Sequence, residues 1–244
     1  MEANDYMIEL RDVYKSFGAK HVLRGVSLAV PRGVSAVVMG GSGTGKSVLI
    51  KHVVRLLTPD AGEVWVKGQR VDLVEGDVLD RLRLSIGYLF QGGALFDSMT
   101  VYENLSFYLE RHTRLTLAER RERIEETLSW VNLRNTAPQY PAELSGGQKK
   151  RIGLARAIIL EPQILLYDEP TTGLDPISVR TVSDLIVRLR DERGITSIAI
   201  THDLLCAEII ADEAYFLHEG SIVASGTLAD LQRADHPVLR NFFG

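Results

Sequence analysis

A glycine-rich segment around residue 40 limits the folds open to this chain more than any other feature. The segment reads Gly40-Gly41-Ser42-Gly43-Thr44-Gly45-Lys46-Ser47, after the apolar run 34–39 and before a helical pattern over 48–57. A pattern G-x-x-x-x-G-K-S between a strand and a helix is typical of a phosphate-binding loop. Glycines let successive backbone N–H groups surround an anion without a Cβ in the way. A plain glycine-rich turn is the alternative, and the register of the glycines with the Lys-Ser pair disfavours it.

The residues at the end of this loop predict how a nucleotide is held. A helix that begins near Lys46 supplies unpaired N–H groups and the positive end of its dipole. Lys46 can reach the β- and γ-phosphates, and the Ser47 hydroxyl can ligate Mg²⁺. Val48 follows in the same helical pattern and is included in the predicted site. The loop therefore predicts binding of a nucleoside triphosphate together with Mg²⁺.

The composition excludes several kinds of protein. The 244 residues are 45% hydrophobic and 25% charged with a net charge of −4, so we expect no broad basic face for nucleic acid. One cysteine, Cys206, allows neither an internal disulfide nor a multi-cysteine zinc site. We recognise no secretory leader and no apolar run approaching the roughly 18 to 20 residues of a membrane span. We therefore expect a cytoplasmic protein that reaches a membrane only through a partner.

The order of strand and helix patterns predicts an α/β fold. Alternating apolar residues near 8–10 and 26–30 indicate an N-terminal antiparallel β subdomain. Later strands alternate with helices, which is typical of a mostly parallel sheet, whereas the stretch from about Gly92 to Leu160 has helical patterns alone. The predicted division is a single domain, 1–244, made of a core, 1–91 and 162–244, and an inserted α-helical subdomain, 92–161.

Helix-start signals occur twice in the predicted helical subdomain. Thr116 with Glu119, and Ser145 with Gln148, have the spacing of a capping box. The first of these helices should turn one apolar face toward the core. That face comprises Leu117, Ile124, Leu128 and Val131.

Two acidic residues follow a second apolar strand. Asp168 and Glu169 end the run 164–167, and ligands of parallel sheets collect beyond the carboxyl ends of the strands. Because the strand period sends successive side chains in different directions, we expect different tasks for the two acids. Asp168 suits the Mg²⁺ shell, and Glu169 can orient or deprotonate the attacking water. Two solvated loop acids are the alternative.

Two other polar residues also follow predicted strands. Gln91 ends the pattern 86–90, and its amide can hold Mg²⁺ or water. His202 follows the pattern 196–201, where a histidine can donate a hydrogen bond to the γ-phosphate. Either side chain alone would be an ordinary surface residue, so both predicted roles depend on the neighbouring motifs.

The segment Leu144-Ser145-Gly146-Gly147-Gln148 is a second candidate anion site. Its glycines leave the first N–H groups of a helix approachable, although each costs roughly 0.5 to 1 kcal/mol relative to alanine. A well-capped helix is the alternative, but capping alone gives no reason for two glycines. Two anion sites in one chain predict a symmetric dimer, in which the Ser145 helix of each copy covers the nucleotide of the other.

A basic run, Lys149-Lys150-Arg151, follows that segment. Three charges on a helix form a solvated face more often than a nucleic-acid contact. We therefore expect these side chains to be exposed, and we expect no nucleic-acid partner.

These residues together resemble the ATPases of ABC transporters over nearly the whole chain. Gly40 to Ser47 resembles the Walker A motif, and Leu144 to Gln148 resembles the ABC signature. Ile164 to Asp168 is similar to the Walker B motif, which places Glu169 as the catalytic glutamate. The resemblance implies a P-loop NTPase with a RecA-like core.

Shorter motifs extend the resemblance. Gln91 is similar to the Q-loop glutamine, and His202 to the switch histidine. Gly173-Leu174-Asp175 resembles the D-loop, so Asp175 joins the implied nucleotide site. Phe17 aligns with the aromatic residue that stacks on adenine, although a core phenylalanine is the alternative. The family implies a homodimer around two ATP molecules with Mg²⁺, which drives integral membrane permease subunits from the inner face of the cell membrane.

A narrower resemblance involves residues 90–101, Phe-Gln-Gly-Gly-Ala-Leu-Phe-Asp-Ser-Met-Thr-Val. This segment is similar to that of ATPases in MCE-associated lipid transporters, which move phospholipids between bacterial membranes. The resemblance implies a permease pair in the groove near Gln91 to Phe107, and an MCE-domain lipid-binding protein as a further partner. Those ATPases often carry methionine where this chain has Gln148.

Other functions stay open at this stage. A soluble ABC ATPase of the iron–sulfur-assembly type shares the fold and works without a permease, and an ABC ATPase for another small substrate is a further alternative. DNA-repair ABC ATPases carry very long coiled coils, and nothing between Gln91 and Leu144 has that length. A non-hydrolysing regulatory subunit is a further alternative, which the presence of Glu169 and His202 disfavours.

Overall fold

The computed structural model describes residues 6–244, and within that range ten strands and nine α-helices follow one another. The strands are β1 Tyr6–Phe17, β2 Lys20–Pro31, β3 Ser35–Met39, β4 Ala61–Val66, β5 Gln69–Arg70, β6 Ile86–Leu89, β7 Ile164–Asp168, β8 Thr196–Ile200, β9 Glu213–His218 and β10 Ser221–Gly226. The helices are α1 Lys46–Val53, α2 Gly76–Leu84, α3 Val101–His112, α4 Leu117–Trp130, α5 Gly146–Ile158, α6 Pro176–Arg193, α7 Leu204–Ile210, α8 Leu228–Arg233 and α9 Pro237–Phe243.

Two sheets organise the molecule, as the sequence predicts. The N-terminal sheet has the order β2-β1-β4-β5 and is antiparallel. The second sheet has six strands in the order β10-β9-β3-β8-β7-β6. Its strands from β9 to β6 are parallel, and only β10 runs antiparallel to its neighbour β9. The carboxyl ends of β3, β6, β7 and β8 therefore meet at one edge.

The central strands are buried on both faces, which explains why they read as unbroken apolar runs. All five residues of β3, of β7 and of β8 are buried. Successive side chains enter opposite cores: Leu165 and Tyr167 pack into one apolar cluster, and Ile164 and Leu166 into the other. The strands are thus held from both sides, and the loops at their carboxyl ends start from fixed points.

Helices α3, α4 and α5 occupy the chain between β6 and β7, where the sequence predicts helices alone. The capping boxes at Thr116 and at Ser145 are both present. Ile124, Leu128 and Val131 are buried, but Leu117 is 52% exposed, so its predicted place on the apolar face is wrong. Leu117 is the first residue of α4, where the chain has just entered the helix and the side chain points to solvent.

Several short elements have no counterpart in the sequence-based prediction. Helices α2, α7 and α9 are seven to nine residues long, too short for an apolar stripe to stand out. Helix α1 ends at Val53 and does not reach residue 57, because Arg55 adopts a left-handed conformation at φ 50°. Within residues 6–244, no helix combines the length and the apolar character needed to cross a bilayer.

Gly87 on β6 makes the contact between this strand and α5 possible. A Cβ at this position would lie 2.2 Å from the carbonyl oxygen of Ala157 and 2.5 Å from Cδ2 of Leu165. We expect Gly87→Ala to lower the free energy of unfolding by about 1–3 kcal/mol, because backbone must move to admit the methyl group. Urea denaturation followed by circular dichroism measures the effect.

Gly92→Ala is the matched control, because an added Cβ at Gly92 meets no heavy atom within 4 Å. Equal urea midpoints for the two alanine variants would contradict the packing argument.

Candidate nucleotide site

The phosphate loop joins the carboxyl end of β3 to the first residue of α1. Gly40, Gly43 and Gly45 have φ values of 146°, 74° and 105°, which residues with a side chain rarely adopt. A Cβ at Gly40 would lie 2.2 Å from the carbonyl oxygen of Leu217. The Thr44 hydroxyl donates to the Gly41 carbonyl at 3.0 Å and closes the turn. The loop conformation therefore depends on its glycines, as the sequence predicts.

Lys46 lies inside the loop that it follows. Its Nζ donates to the carbonyl oxygens of Gly40 at 2.9 Å and Gly41 at 2.8 Å. Burial lowers the pKa of this ammonium, and the nearby carboxylates of Glu169 and Asp168 oppose that shift. A buried cation whose acceptors are neutral carbonyls is well suited to an anionic ligand, because phosphate oxygens are stronger acceptors.

Ser47 and Asp168 are adjacent, although they are far apart in sequence. The Ser47 hydroxyl donates to Oδ1 of Asp168 at 2.9 Å, and the Tyr88 hydroxyl donates to Oδ2 at 3.3 Å. Burial and the Asp168 charge raise the pKa of Tyr88, so this phenol stays protonated as a donor. Hydroxyl and carboxylate oxygens side by side are a donor set that fits Mg²⁺.

Glu169 is held by its backbone as well as by its side chain. Its φ of 53° is a conformation that costs of order 1–3 kcal/mol for a residue with a side chain. Its N–H donates to the carbonyl of Ile200 at 2.9 Å. Oε2 accepts a hydrogen bond from Thr172 Oγ1 at 2.9 Å and lies 2.9 Å from Nδ1 of His202. Asp168 and Glu169 therefore have separate partners.

A cavity of about 750 Å³ gathers most of the predicted site residues. Phe17 forms part of its wall, half-exposed, with Lys15 Nζ 5.6 Å from the ring centre. Phe242 of α9 also lines the cavity and has no signal in the sequence. The predicted residues that line it are Phe17, Gly40, Gly41, Ser42, Gly43, Gly45, Lys46, Ser47, Val48, Gln91, Glu169 and His202.

The predicted second anion site lies elsewhere. Within residues 6–244, the cavity lining includes neither the start of α5 nor Asp175. Ser145 caps α5 by accepting from the Gln148 N–H at 3.3 Å, and Gln148 Oε1 accepts from the Ser145 N–H at 2.8 Å. Asp175 caps α6 in the same way, by accepting from two N–H groups at 3.0 Å.

The two glycines of α5 differ in what surrounds them. A Cβ at Gly147 would lie 2.9 Å from Oγ of Ser178, so packing against α6 favours a glycine there. A Cβ at Gly146 would meet only Cδ2 of Leu174, at an ordinary 3.6 Å. The sequence argument considered capping alone, and the structure adds a packing contact as a reason for a small residue at Gly147 but not at Gly146.

The basic run after Gln148 is not a solvated face. Lys150 is 7% exposed, and its Nζ donates to the backbone carbonyls of Gln91 and Glu169, the second at 2.9 Å. Arg151 donates to the carbonyls of Val131 and Asn132 at 3.2 and 3.1 Å. The missed signal is helical spacing, because Lys150 precedes the buried Leu154 by four residues on the same face.

Comparison with known proteins agrees with this geometry. Residues 23–172 match the family model described as ABC transporter, and that stretch contains Gly40 to Ser47, Ser145 to Gln148 and Glu169. The chain belongs to the ABC transporter family. It is therefore an ABC ATPase, which binds ATP and hydrolyses it.

Relatives of this ABC ATPase include plant and bacterial proteins. Protein TRIGALACTOSYLDIACYLGLYCEROL 3, chloroplastic, of Arabidopsis thaliana is 41% identical and matches 98% of this chain and 74% of its own length. The Escherichia coli intermembrane phospholipid transport system ATP-binding protein MlaF is 36% identical, over 97% of this chain and 88% of its own length. The probable ribonucleotide transport ATP-binding protein mkl of Mycobacterium tuberculosis is 38% identical, over 96% of this chain and 66% of its own length.

Solved structures show the same fold. A dimeric ATP-binding cassette in a post-hydrolysis state, bound to ADP and Pi, superimposes with a TM-score of 0.84 at 31% identity, over 91% of this chain and 99% of its own. A second dimeric structure, of a bacterial ABC transporter cassette, gives a TM-score of 0.85 at 31% identity over the same shares. The α/β fold predicted from the sequence, a P-loop NTPase with an antiparallel β subdomain and an inserted helical part, is confirmed.

The pairing of Ser47 with Asp168 predicts how activity depends on Mg²⁺. We expect Ser47→Ala to raise the Mg²⁺ concentration for half-maximal ATP hydrolysis about tenfold or more, because one oxygen donor is lost. Titrating Mg²⁺ at saturating ATP measures the shift.

Ser225→Ala, which changes an exposed serine of β10 outside the cavity lining, is the control. An unchanged Mg²⁺ requirement in the Ser47 variant would exclude the serine from the metal site.

Proposed function

We propose that this ABC ATPase is the ATP-hydrolysing subunit of a transporter for phospholipid or another lipid, and that it works as a homodimer closed around two ATP molecules. The dimer is inferred from the separation of the two predicted anion sites within one chain. Lys46, Glu169 and His202 line one cavity, whereas the start of α5 at Gly146 is not part of its lining. On this proposal the N–H groups at Gly146 bind a triphosphate that is held by a second copy.

The surface around the start of α5 supports such a dimer. Ser145, Gly146 and Asp175 are exposed, and next to Asp175 is Ile177, which at 78% exposure is the most exposed of the large apolar residues in the described chain. Leu174 connects the two helix starts through its contact with Gly146. An exposed apolar side chain beside two helix starts fits a surface that a partner covers.

The residues of one copy divide the chemistry as follows. Lys46 would exchange its loop carbonyls for phosphate oxygens, and Ser47 and Asp168, with Gln91, would hold Mg²⁺, which neutralises developing charge when bound. Glu169, fixed by Thr172 and His202, accepts a proton from the attacking water. Loss of the γ-phosphate then removes the differential affinity that favours the closed dimer, so the dimer reopens.

Lipid as cargo is supported by the relatives and by the segment 90–101. The names of the plant protein and of MlaF refer to a lipid and to phospholipid transport, and they fit the MCE-type resemblance of that segment. The name of mkl refers to ribonucleotides, so a different small substrate is the alternative. On this proposal the chain lies at the inner face of the cell membrane, held there by permease subunits, with an MCE-domain protein as a further member.

A groove next to β6 is the proposed permease contact. It encloses about 530 Å³ between α2, α3 and α5, and Tyr88 and Phe90 stack at its wall with ring centres 4.1 Å apart. Phe90 and Tyr108, neighbours of the predicted limits Gln91 and Phe107, line it. The groove is lined by residues of the strand that leads to Gln91. A permease bound in the groove can therefore change the position of Gln91 in the nucleotide cavity.

We expect Glu169→Gln to retain ATP binding, to lower kcat by about 10²–10⁴-fold, and to accumulate an ATP-bound dimer, because the proton acceptor is lost while the charge pattern for binding remains. Steady-state hydrolysis and light scattering with ATP measure the two effects. Glu161→Gln, the same exchange at an exposed glutamate paired with Arg123, should behave like the wild type. A Glu169→Gln protein with near-normal turnover would refute the role given to Glu169.

The groove yields a separate test. We expect Leu84→Asp, at a 37% exposed position of the groove wall, to abolish co-purification with integral membrane subunits from detergent-solubilised membranes, because the new charge is desolvated on docking. Hydrolysis by the isolated chain should stay normal. Leu117→Asp, at an exposed leucine outside the groove, should still co-purify. A wild-type chain that brings down no membrane subunit would favour the soluble type of ABC ATPase.

A further inference from the structure

One ammonium group connects two loops of the nucleotide site. Strands β6 and β7 are parallel neighbours, and Gln91 and Glu169 follow their carboxyl ends. Lys150 of α5 donates from Nζ to the backbone carbonyl of each of these residues. Both contacts are to backbone oxygens, so they hold the two loops without occupying the side chains of Gln91 and Glu169.

The contact matters most at Glu169, whose backbone is in a left-handed conformation. Such a conformation persists only when its surroundings hold it. The N–H of Glu169 donates to the Ile200 carbonyl at 2.9 Å, and its C=O accepts from Lys150 Nζ at 2.9 Å and from the Thr172 N–H at 3.4 Å. Without the ammonium, the C=O keeps only the longer of its two hydrogen bonds, so the backbone is held less firmly and the carboxylate can leave its place beside Thr172 and His202.

Helix α5 approaches the loop after Gln91 along one face. A Cβ at Gly153 would lie 2.8 Å from Leu89 Cδ1 and 3.1 Å from Gly93 Cα, so helix and loop touch closely there. Arg156 donates to the carbonyls of Gly93 at 2.8 Å and Ala94 at 2.6 Å. Lys150, Gly153 and Arg156 are spaced by three residues and share this face. The loop is therefore attached to α5 at several points and must follow its movement.

The charge of Lys150 is balanced where it lies. Burial lowers its pKa, and the carboxylates of Glu169 and Asp168 oppose that shift. A buried ammonium is tolerated when acceptors and opposite charges surround it. Two carbonyls and two carboxylates meet that condition, so Lys150 can stay charged and keep donating to both loops.

We propose that Lys150 is a positioning residue, which transmits the position of α5 to Gln91 and Glu169 and so makes hydrolysis depend on where the Ser145 end of that helix lies. The inference rests on the proposed role of Glu169 in hydrolysis. The Ser145 end belongs to the proposed dimer surface, about one and a half helical turns from Lys150. Docking of a partner's nucleotide at the Ser145 end would, through Lys150, orient Glu169 of the same chain.

Steady-state ATP hydrolysis by the full chain tests the proposal. Lys150→Met keeps the bulk of the side chain and removes its donors, so kcat should fall about tenfold. KM for ATP should stay within about twofold, because Lys150 does not line the nucleotide cavity. Lys150→Arg, which restores a cationic donor for the carbonyls, should recover most of kcat. Lys149→Met, the same exchange one residue earlier on a side chain outside the cavity, should leave both constants unchanged.

Melting temperatures of all variants identify a folding defect, and if Lys150→Met does not fold, Lys150→Gln is measured for the same split between kcat and KM. Wild-type kcat in the Met or Gln variant, or a loss that Lys149→Met shares, overturns the proposal. Glu169→Gln is assayed alongside. An inactive Glu169→Gln with a fully active Lys150→Met refutes the positioning role alone, whereas an active Glu169→Gln refutes the proposed role of Glu169 in hydrolysis, on which the inference rests.

Discussion

Burial of the parallel sheet on both faces is the constraint on which the site depends. Each strand sends alternate side chains into two separate apolar cores, so no strand can slide without disturbing both. The loops that leave the carboxyl ends of β3, β6, β7 and β8 inherit this fixed position. The phosphate loop, Gln91, Glu169 and His202 are short extensions of these strands, which explains how residues from four parts of the chain line one cavity.

Charge balance is the second condition of the site. Two buried ammonium groups, of Lys46 and Lys150, lie within the influence of the carboxylates of Asp168 and Glu169. Burial lowers the pKa of each lysine, and the acids counteract the shift. The two lysines differ in what they bind: Lys46 lies in the loop that is proposed to bind phosphate, whereas Lys150 donates to backbone carbonyls. The same arrangement of opposite charges thus serves both a ligand and the loops around it.

Sequence reasoning succeeds where function depends on local order. The phosphate loop needs consecutive glycines, and the acids need only to end a strand, so residues such as Lys46 and Glu169 can be predicted without tertiary contacts. It fails where distant elements meet. Lys150 is buried because α5 packs over two loops, and Gly147 lies opposite Ser178 of α6. Helical spacing to Leu154 can mark Lys150 as part of the buried face, but these partners are distant in sequence and the pattern does not identify them.

The close contact between Gly147 and Ser178 has a consequence for the way the molecule is divided. It brings together the first turns of α5 and α6, two helices separated along the chain by β7 and its following loop. The Ser178 side chain lies so near Gly147 that even a methyl group would not fit between them without a shift. The two helix starts are therefore direct neighbours, although Gly147 and Ser178 lie on opposite sides of the subdomain boundary predicted from the sequence. The inserted helices are thus anchored to the core at this point as well as through the chain connections at their two ends.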